Sequence, residues 1–103
     1  MRFLVKVTIP VEAGNAVVRA GRLGKTINSI LDSLKPEAAY FTDNNGERGA
    51  YLFLDMEDAS KIPAIAEPWF LAFNANVEFH PVMVAEDLTK ANDAIEAAVA
   101  DYA

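Results

Sequence analysis

The amino-acid sequence predicts one α+β domain with the element order β-α-β-β-α-β and a further helix at the C-terminus. Segments in which apolar and polar residues alternate, as in strands, take turns with segments that have apolar residues at helical spacing. Asp43-Asn44-Asn45-Gly46 separates the two middle strands, and Asn-Gly is a strong signal for a hairpin turn. The 103 residues suffice for one compact domain with one hydrophobic core.

Four segments have the pattern of β-strands: residues 2–9, 38–42, 49–56 and 76–83. Pro10 ends the first of them, because proline cannot donate a hydrogen bond to a neighbouring strand. For the same reason, Pro81 predicts that the last strand lies at an edge of the sheet or contains a bulge.

The first predicted helix lies between the first two strands. Asn15 is a suitable N-cap residue, and apolar residues at helical spacing follow over residues 20–34. Gly21 and Gly24 each cost about 1 kcal/mol relative to alanine in a helix, so we expect its first half to be irregular. Pro36 stops the helix.

The second predicted helix begins near Asp58 or Ser60, either of which can cap it. Its apolar stripe includes Trp69 and Phe70. Pro68 lies within this stripe and is expected to kink or split the helix, because proline removes a backbone donor.

The predicted order of elements is that of a ferredoxin-like βαββαβ sandwich over residues 1–84, followed by a C-terminal helix over residues 85–103. We expect residues 1–103 to form a single ferredoxin-like domain in which both main helices cover one face of the sheet. The C-terminal helix packs either on its own domain or on a partner subunit, and the sequence does not distinguish the two.

The other face of the sheet, which we call the open face, is predicted to combine aromatic, aliphatic and charged side chains: Leu4, Lys6, Thr8, Tyr40, Tyr51, Phe53, Glu78 and His80. This composition is too apolar for a plain solvent-exposed face, and it therefore predicts an interface. A twofold homodimer with two stacked open faces would bury it.

Composition and charge narrow the classes of partner. The net charge is −6, with 15 acidic and 9 basic residues, which argues against nucleic acid because nucleic-acid surfaces need a positive field. No apolar run approaches the roughly 20 residues of a membrane span, so no membrane partner is expected. The sequence has no cysteine, which excludes disulfides and iron–sulfur clusters and is typical of a cytoplasmic protein.

Several motifs resemble those of the dimeric α+β barrel superfamily: Leu34-Lys35-Pro36-Glu37-Ala38-Ala39-Tyr40-Phe41, the Glu67-Pro68 break followed by Trp69 and Phe70, and Val77-Glu78-Phe79-His80-Pro81-Val82-Met83 running into Glu86-Asp87-Leu88. Within the superfamily, the sequence is most similar to small proteins related to muconolactone isomerase. The resemblance implies a homodimer that pairs two ferredoxin-like sheets face to face. Members include cofactor-free monooxygenases, isomerases and haem enzymes, so the fold leaves the reaction open.

His80, the only histidine, is the candidate catalytic residue. Glu78 lies two residues earlier on the same predicted strand, so the two side chains share a face and the carboxylate can orient the imidazole for proton transfer. The alternative is that His80 is a hydrogen-bonded interface residue and that Glu78 pairs with Lys6 on the neighbouring strand. With one histidine and no cysteine, the sequence predicts no metal site and no cofactor.

Five further residues are candidates for ligand binding: Tyr40, Tyr51, Trp69, Phe70 and Arg22. The tyrosines can donate hydrogen bonds to a ligand, and the two aromatic residues beside Pro68 can line a pocket. Arg22 belongs to a basic group with Arg19 and Lys25 that can attract an anionic group. Each has a structural alternative, namely interface packing for the tyrosines, core packing for the aromatic stripe, and a solvated helix face for the basic group.

Two hypotheses of function follow from the sequence and the resemblance. In the first, the protein is a homodimer that binds a small organic acid and, as the resemblance implies, isomerises or oxygenates it without a cofactor. His80 is then the acid/base and Glu78 orients it. In the second, the protein is a non-catalytic ligand-binding or accessory dimer whose open face is only an interface.

Overall fold

The computed structural model describes residues 1–103 and contains one antiparallel sheet of four strands. The strands are β1 (Arg2–Ile9), β2 (Ala38–Asn44), β3 (Glu47–Asp55) and β4 (Asn76–Pro81). Their order in the sheet is β2-β3-β1-β4, so β2 and β4 are the edge strands. The predicted α+β fold of the ferredoxin-like type is confirmed, and Pro81 lies on an edge strand as its chemistry requires.

The first predicted helix is in fact two helices, α1 (Val11–Arg19) and α2 (Leu23–Leu34). Gly21 lies between them with a φ of +71°, a left-handed conformation that glycine adopts without strain. The prediction that Asn15 caps a helix is wrong. α1 begins directly after Pro10, whose restricted φ suits the start of a helix, and Asn15 lies inside α1.

The second main helix, α3 (Ile62–Phe73), is continuous, so of the two predicted effects of Pro68, a kink or a split, the split does not occur. A 3-10 turn (Ala59–Lys61) precedes α3 and is capped by Asp58 as predicted, since the Ser60 N–H donates a hydrogen bond of 2.9 Å to the Asp58 carboxylate. The Ser60 hydroxyl donates to the same carboxylate. These two hydrogen bonds hold the pKa of Asp58 below its usual value, because they favour the charged form.

The hydrophobic core lies between the helices and the covered face of the sheet. Its largest fully buried side chains are Trp69, Phe73, Leu52, Val5 and Val7. Trp69 and Phe73 stack with their ring centroids 5.9 Å apart. Full burial of one such side chain stabilises by about 1.5–3 kcal/mol, so the pair of rings offsets the roughly 3 kcal/mol that Pro68 costs inside α3.

The register of the strands places the residues predicted for the covered face and those predicted for the open face on opposite sides of the sheet, as expected. Val5 lies opposite Leu52 in β3, and both side chains are buried beneath the helices. Lys6, the next residue of β1, lies opposite Tyr51 on the open face. Tyr40, on the same face at the edge of the sheet, is 63% exposed.

The predicted C-terminal helix is in fact two helices, α4 (Ala85–Lys90) and α5 (Asn92–Tyr102), which we together call the C-terminal arm. Every residue of these two helices is exposed, and only Ala91 between them is partly buried. The molecule measures 58 × 27 × 21 Å and has a radius of gyration of 17.3 Å, against about 13 Å for a compact chain of this length. The arm therefore projects away from the body of its own chain.

None of the helices combines the length and the apolar character needed to cross a membrane.

Gly21→Ala is expected to lower the free energy of unfolding by about 1–2 kcal/mol, because an L side chain is strained at positive φ. Gly24→Ala is the matched control: neither glycine has another group within 4 Å of a built Cβ, but Gly24 lies inside α2. That alanine should raise the free energy of unfolding by about 0.5–1 kcal/mol. Urea unfolding measures both variants, and effects of the same sign would contradict the account of the α1–α2 junction.

Candidate functional site

The open face carries a row of four side chains, one from each strand. Tyr40 of β2 lies opposite Tyr51 of β3. Tyr51 lies opposite Lys6 of β1, and Lys6 lies opposite Glu78 of β4. The row therefore has phenol groups at one end and charged groups at the other, and His80 lies beside its charged end on β4.

Glu78 contacts two neighbours on the open face. Its Oε1 lies 3.3 Å from His80 Nε2, and its Oε2 lies 3.9 Å from Lys6 Nζ. The side chains of His80 and Glu78 are 50% and 46% exposed, so a molecule on this face can reach both. Because Glu78 contacts Nε2, the other ring nitrogen, Nδ1, is free to exchange a proton. The same contacts also suit a structural ion pair, so geometry alone is consistent with both interpretations.

The tyrosines lie at some distance from His80 within one chain. Adjacent strands are about 4.8 Å apart, which puts Tyr51 about 10 Å and Tyr40 about 14 Å from β4. A molecule that contacts both His80 and Tyr51 must therefore be at least as long as an aromatic ring with substituents. Tyr40 is too distant to act on the same small group.

Phe70 and Arg22 lie in two separate grooves. Phe70 borders a groove of about 590 Å³ at the end of the sheet, and Lys6 and Glu78 border it as well. Arg22 borders a groove of about 580 Å³ between α2 and α3. Phe70 thus shares a groove with Lys6 and Glu78, whereas Arg22 lies apart from the other predicted residues.

Trp69 lies on the covered side of the sheet, in the wall of a cavity of about 280 Å³ that we call the helix-side cavity. α2, α3 and strands β1 to β3 form this cavity, whose lining is mostly apolar: Ile9, Leu23, Ile27, Phe41, Thr42, Arg48, Gly49, Ala50 and Trp69. The indole Nε1 of Trp69 is the only buried side-chain nitrogen or oxygen without a hydrogen-bond partner. Leaving such a donor unpaired costs about 1–3 kcal/mol, which an oxygen acceptor that reached Nε1 would remove.

Arg48 is the only charged residue in the wall of the helix-side cavity. Its Nη2 donates a hydrogen bond of 3.0 Å to Oδ1 of Asn15, which fixes the guanidinium against α1. Gly14 makes room for it there, since a Cβ at that position would lie 2.5 Å from Arg48 Nη1. No carboxylate forms an ion pair with Arg48. Its charge is therefore available to an anionic group beside the cavity.

Arg48 and Phe41 are absent from the residues predicted from the sequence, although the sequence contains a signal for Arg48. Arg48 falls on the same side of β3 as Ala50, Leu52 and Leu54, which are buried beneath the helices. A charged residue in such a series is unusual, because arginine is rarely buried without a partner. The position of Phe41 in a cavity wall depends on tertiary packing and has no comparable signal.

These features define a small α+β protein with an open sheet face and an apolar cavity on its covered side. Among solved structures, the chain is similar to 5-chloro-2-hydroxyhydroquinone dehydrochlorinase from Burkholderia phenoliruptrix AC1100, in complex with 2,5-dihydroxybenzoquinone. The sequence identity is 18% and the TM-score is 0.60, and the match covers 84% of this chain and 98% of that chain. At this identity, the likeness shows that the two chains share a ferredoxin-like α+β fold.

The chain belongs to the family DUF3303, a domain of unknown function, whose model matches residues 1–96. No curated protein sequence matches the chain.

Proposed function

We propose that the protein is a homodimer that binds a small organic acid in its helix-side cavity. One observation carries the proposal: a mostly apolar cavity is lined by Trp69, whose buried indole N–H lacks an acceptor, and by Arg48, whose guanidinium lacks a carboxylate. Ligand sites in proteins are typically apolar concavities with a few polar groups that fix the orientation of the ligand. Trp69 Nε1 and the Arg48 guanidinium are both hydrogen-bond donors, and an oxygen anion is an acceptor that suits both of them.

The size of the cavity limits the ligand to about one ring with substituents. A cavity of about 150 Å³ is enough for benzene, and the helix-side cavity has about 280 Å³. The similar dehydrochlorinase structure holds 2,5-dihydroxybenzoquinone, a single ring with oxygen substituents, which supports a ligand of this class. In this chain the ring would pack among Ile27, Phe41 and Ala50.

Benzoate is expected to bind with saturation and to change the fluorescence of Trp69, which is the only tryptophan of the chain. Benzyl alcohol has the same ring without the charge, and we expect it to bind at least about 10-fold more weakly. The reason is that a hydrogen bond to a charged group contributes about 1.5–3 kcal/mol. Fluorescence titration and titration calorimetry measure the two affinities.

Arg48→Gln should remove most of this preference for benzoate over benzyl alcohol. Arg19→Gln is the matched control, because Arg19 is exposed on α1 and does not line the cavity. Equal benzoate affinities for the parent and Arg48→Gln proteins, or no saturable binding of either compound, would overturn the assignment of the cavity.

Pairing of two chains through their open faces is the second part of the proposal. The open face presents Tyr51 and Phe53, both only partly buried, beside the exposed ring of Tyr40. A contiguous patch of this kind favours an interface. The resemblance of the sequence to the dimeric α+β barrel superfamily, and within it to proteins related to muconolactone isomerase, supports the same arrangement.

Tyr51→Arg is expected to convert the dimer into a monomer, because it adds a cation beside Lys6 on the face that is buried on pairing. Asn28→Arg adds the same charge to the exposed surface of α2 and should leave the dimer intact. Sedimentation equilibrium gives the mass of each variant relative to the 11.2 kDa chain, and circular dichroism checks that each is folded. A parent protein that is monomeric at every concentration tested is incompatible with this part of the proposal.

Proton transfer by His80 is the second candidate function, and the contact of 3.3 Å between His80 Nε2 and Glu78 Oε1 favours it. In this role Glu78 orients the ring, Nδ1 of His80 takes or gives the proton, and Tyr51 positions the substrate. Such chemistry needs no cofactor and would isomerise an acid that has an acidic C–H bond. The non-catalytic alternative assigns the same contact to the dimer interface.

Deuterium incorporation from heavy water into small organic acids, beginning with phenylpyruvate, tests whether His80 transfers protons. We expect His80→Ala to reduce the catalysed exchange at least about 100-fold, the lower range for loss of a general acid or base. Asn28→Ala serves as the control. Exchange that persists in His80→Ala rules out the catalytic role, and a His80→Ala protein that changes only in dimer affinity supports the non-catalytic alternative.

A further inference from the structure

The C-terminal arm carries an apolar stripe that its own chain leaves uncovered. The stripe continues from α4 into α5 at helical spacing: Leu88, Ala91, Ile95, Ala98, Val99 and Tyr102. Leu88, Ile95 and Val99 are about half exposed, and Tyr102 is 90% exposed. An isolated helix of 11 residues, the length of α5, is marginal in water, so an arm of this kind needs a surface to pack against.

The groove between α2 and α3 is a surface of matching character. Its wall includes Pro68, Leu71 and Ala72 of α3 and Ile30 of α2. Leu71 is 81% exposed, which makes it one of the most exposed large apolar side chains of the body. A side chain of this kind beside a groove of about 580 Å³ marks a site where another element packs.

The charges of the arm and of this groove are complementary. Two cations, Arg22 and Lys25, border the groove, and neither forms an ion pair within the chain. The arm has five carboxylates and one lysine: Glu86, Asp87, Asp93, Glu96, Asp101 and Lys90. Of these five carboxylates, only that of Glu86 forms an ion pair, with Lys90 at 3.4 Å. Opposite potentials of this kind select one partner surface and one orientation.

We infer that the C-terminal arm packs in the α2–α3 groove of a second copy of the same chain. The second copy is the occupant because the arm projects away from its own body and contributes no residue to the α2–α3 groove of its own chain. Two chains that exchange arms in this way form a closed, twofold arrangement in which each contact occurs twice. The inference rests on the proposed homodimer and adds a second interface to the stacked open faces.

Disulfide formation between two singly substituted chains tests this placement, and the absence of native cysteine makes every product assignable. Leu71→Cys protein is mixed with Val99→Cys protein at equal concentration and oxidised. We expect a cross-linked product of two chains that contains one of each variant. In the control mixture, Asp43→Cys protein, whose substituted position is exposed in the β2–β3 hairpin, replaces Leu71→Cys protein. This mixture should give little of the cross-linked product. Equal yields in the two mixtures would overturn the assignment of the groove.

Two substitutions in α5 give an independent measurement of the same interface. Ile95→Asp places a charge within the apolar stripe and should raise the dimer dissociation constant at least 10-fold. Ala97→Asp adds the same charge on the opposite side of α5 and should change the constant less than threefold. Equal effects of the two substitutions would contradict packing through the stripe.

The outcomes separate this inference from the proposed homodimer. A dimer that Tyr51→Arg dissociates, but that gives no mixed disulfide and does not respond to Ile95→Asp, overturns the arm exchange and leaves the stacked sheets standing. A parent chain that stays monomeric overturns both. A disulfide that forms within one chain carrying both cysteines, at a protein concentration at which no mixed product forms, shows that the arm folds back on its own body and overturns the exchange.

Discussion

The sheet of this protein is covered by helices on one face only, and the positions of all its candidate sites depend on that asymmetry. Side chains alternate along a strand, so neighbouring residues of β4 belong to different environments. Val77 and Phe79 pack against the core, while Glu78 and His80 point to the open face. A register shift of one residue would exchange these two sets, and the buried core prevents such a shift.

Because of the same asymmetry, a single chain leaves much of its own apolar surface exposed to solvent. Only 16 of 103 residues are buried, which is a small core for a chain of this length. The open face and the stripe of the C-terminal arm both remain uncovered. In the proposed homodimer, a second copy covers both surfaces, the open face by stacking and the stripe by arm exchange. The helix-side cavity is different, because all the residues that line it belong to one chain.

The sequence predicts the fold well because its signals are local. Alternation in the strands, the Asn-Gly turn, and the prolines at the ends of β1 and β4 each act over a few residues and agree with one another. The errors occur where distant contacts decide. Asn15 has the chemistry of a cap but bonds to Arg48, which is 33 residues away in the chain. Pro68 stays inside a continuous helix because Trp69 and Phe73, which follow it in α3, are buried together in the core.

The candidate site is less predictable for the same reason. The contacts of Glu78 with His80 and with Lys6 follow from strand alternation and pairing, so the sequence predicts them. Trp69 is predicted as a wall residue, but its unpaired N–H and its place in the same cavity wall as Arg48 are consequences of packing between α2, α3 and the sheet. No pattern within one segment contains that information.

The single indole N–H resonance of Trp69 tests the central claim most directly. In a nitrogen–proton correlation spectrum of the protein, this resonance reports whether the donor has an acceptor. We predict that saturating benzoate moves the Trp69 resonance downfield, because the benzoate carboxylate accepts the hydrogen bond of the indole N–H. A resonance that stays in place while benzoate shifts signals elsewhere in the protein would contradict the claim that the helix-side cavity is the acid-binding site.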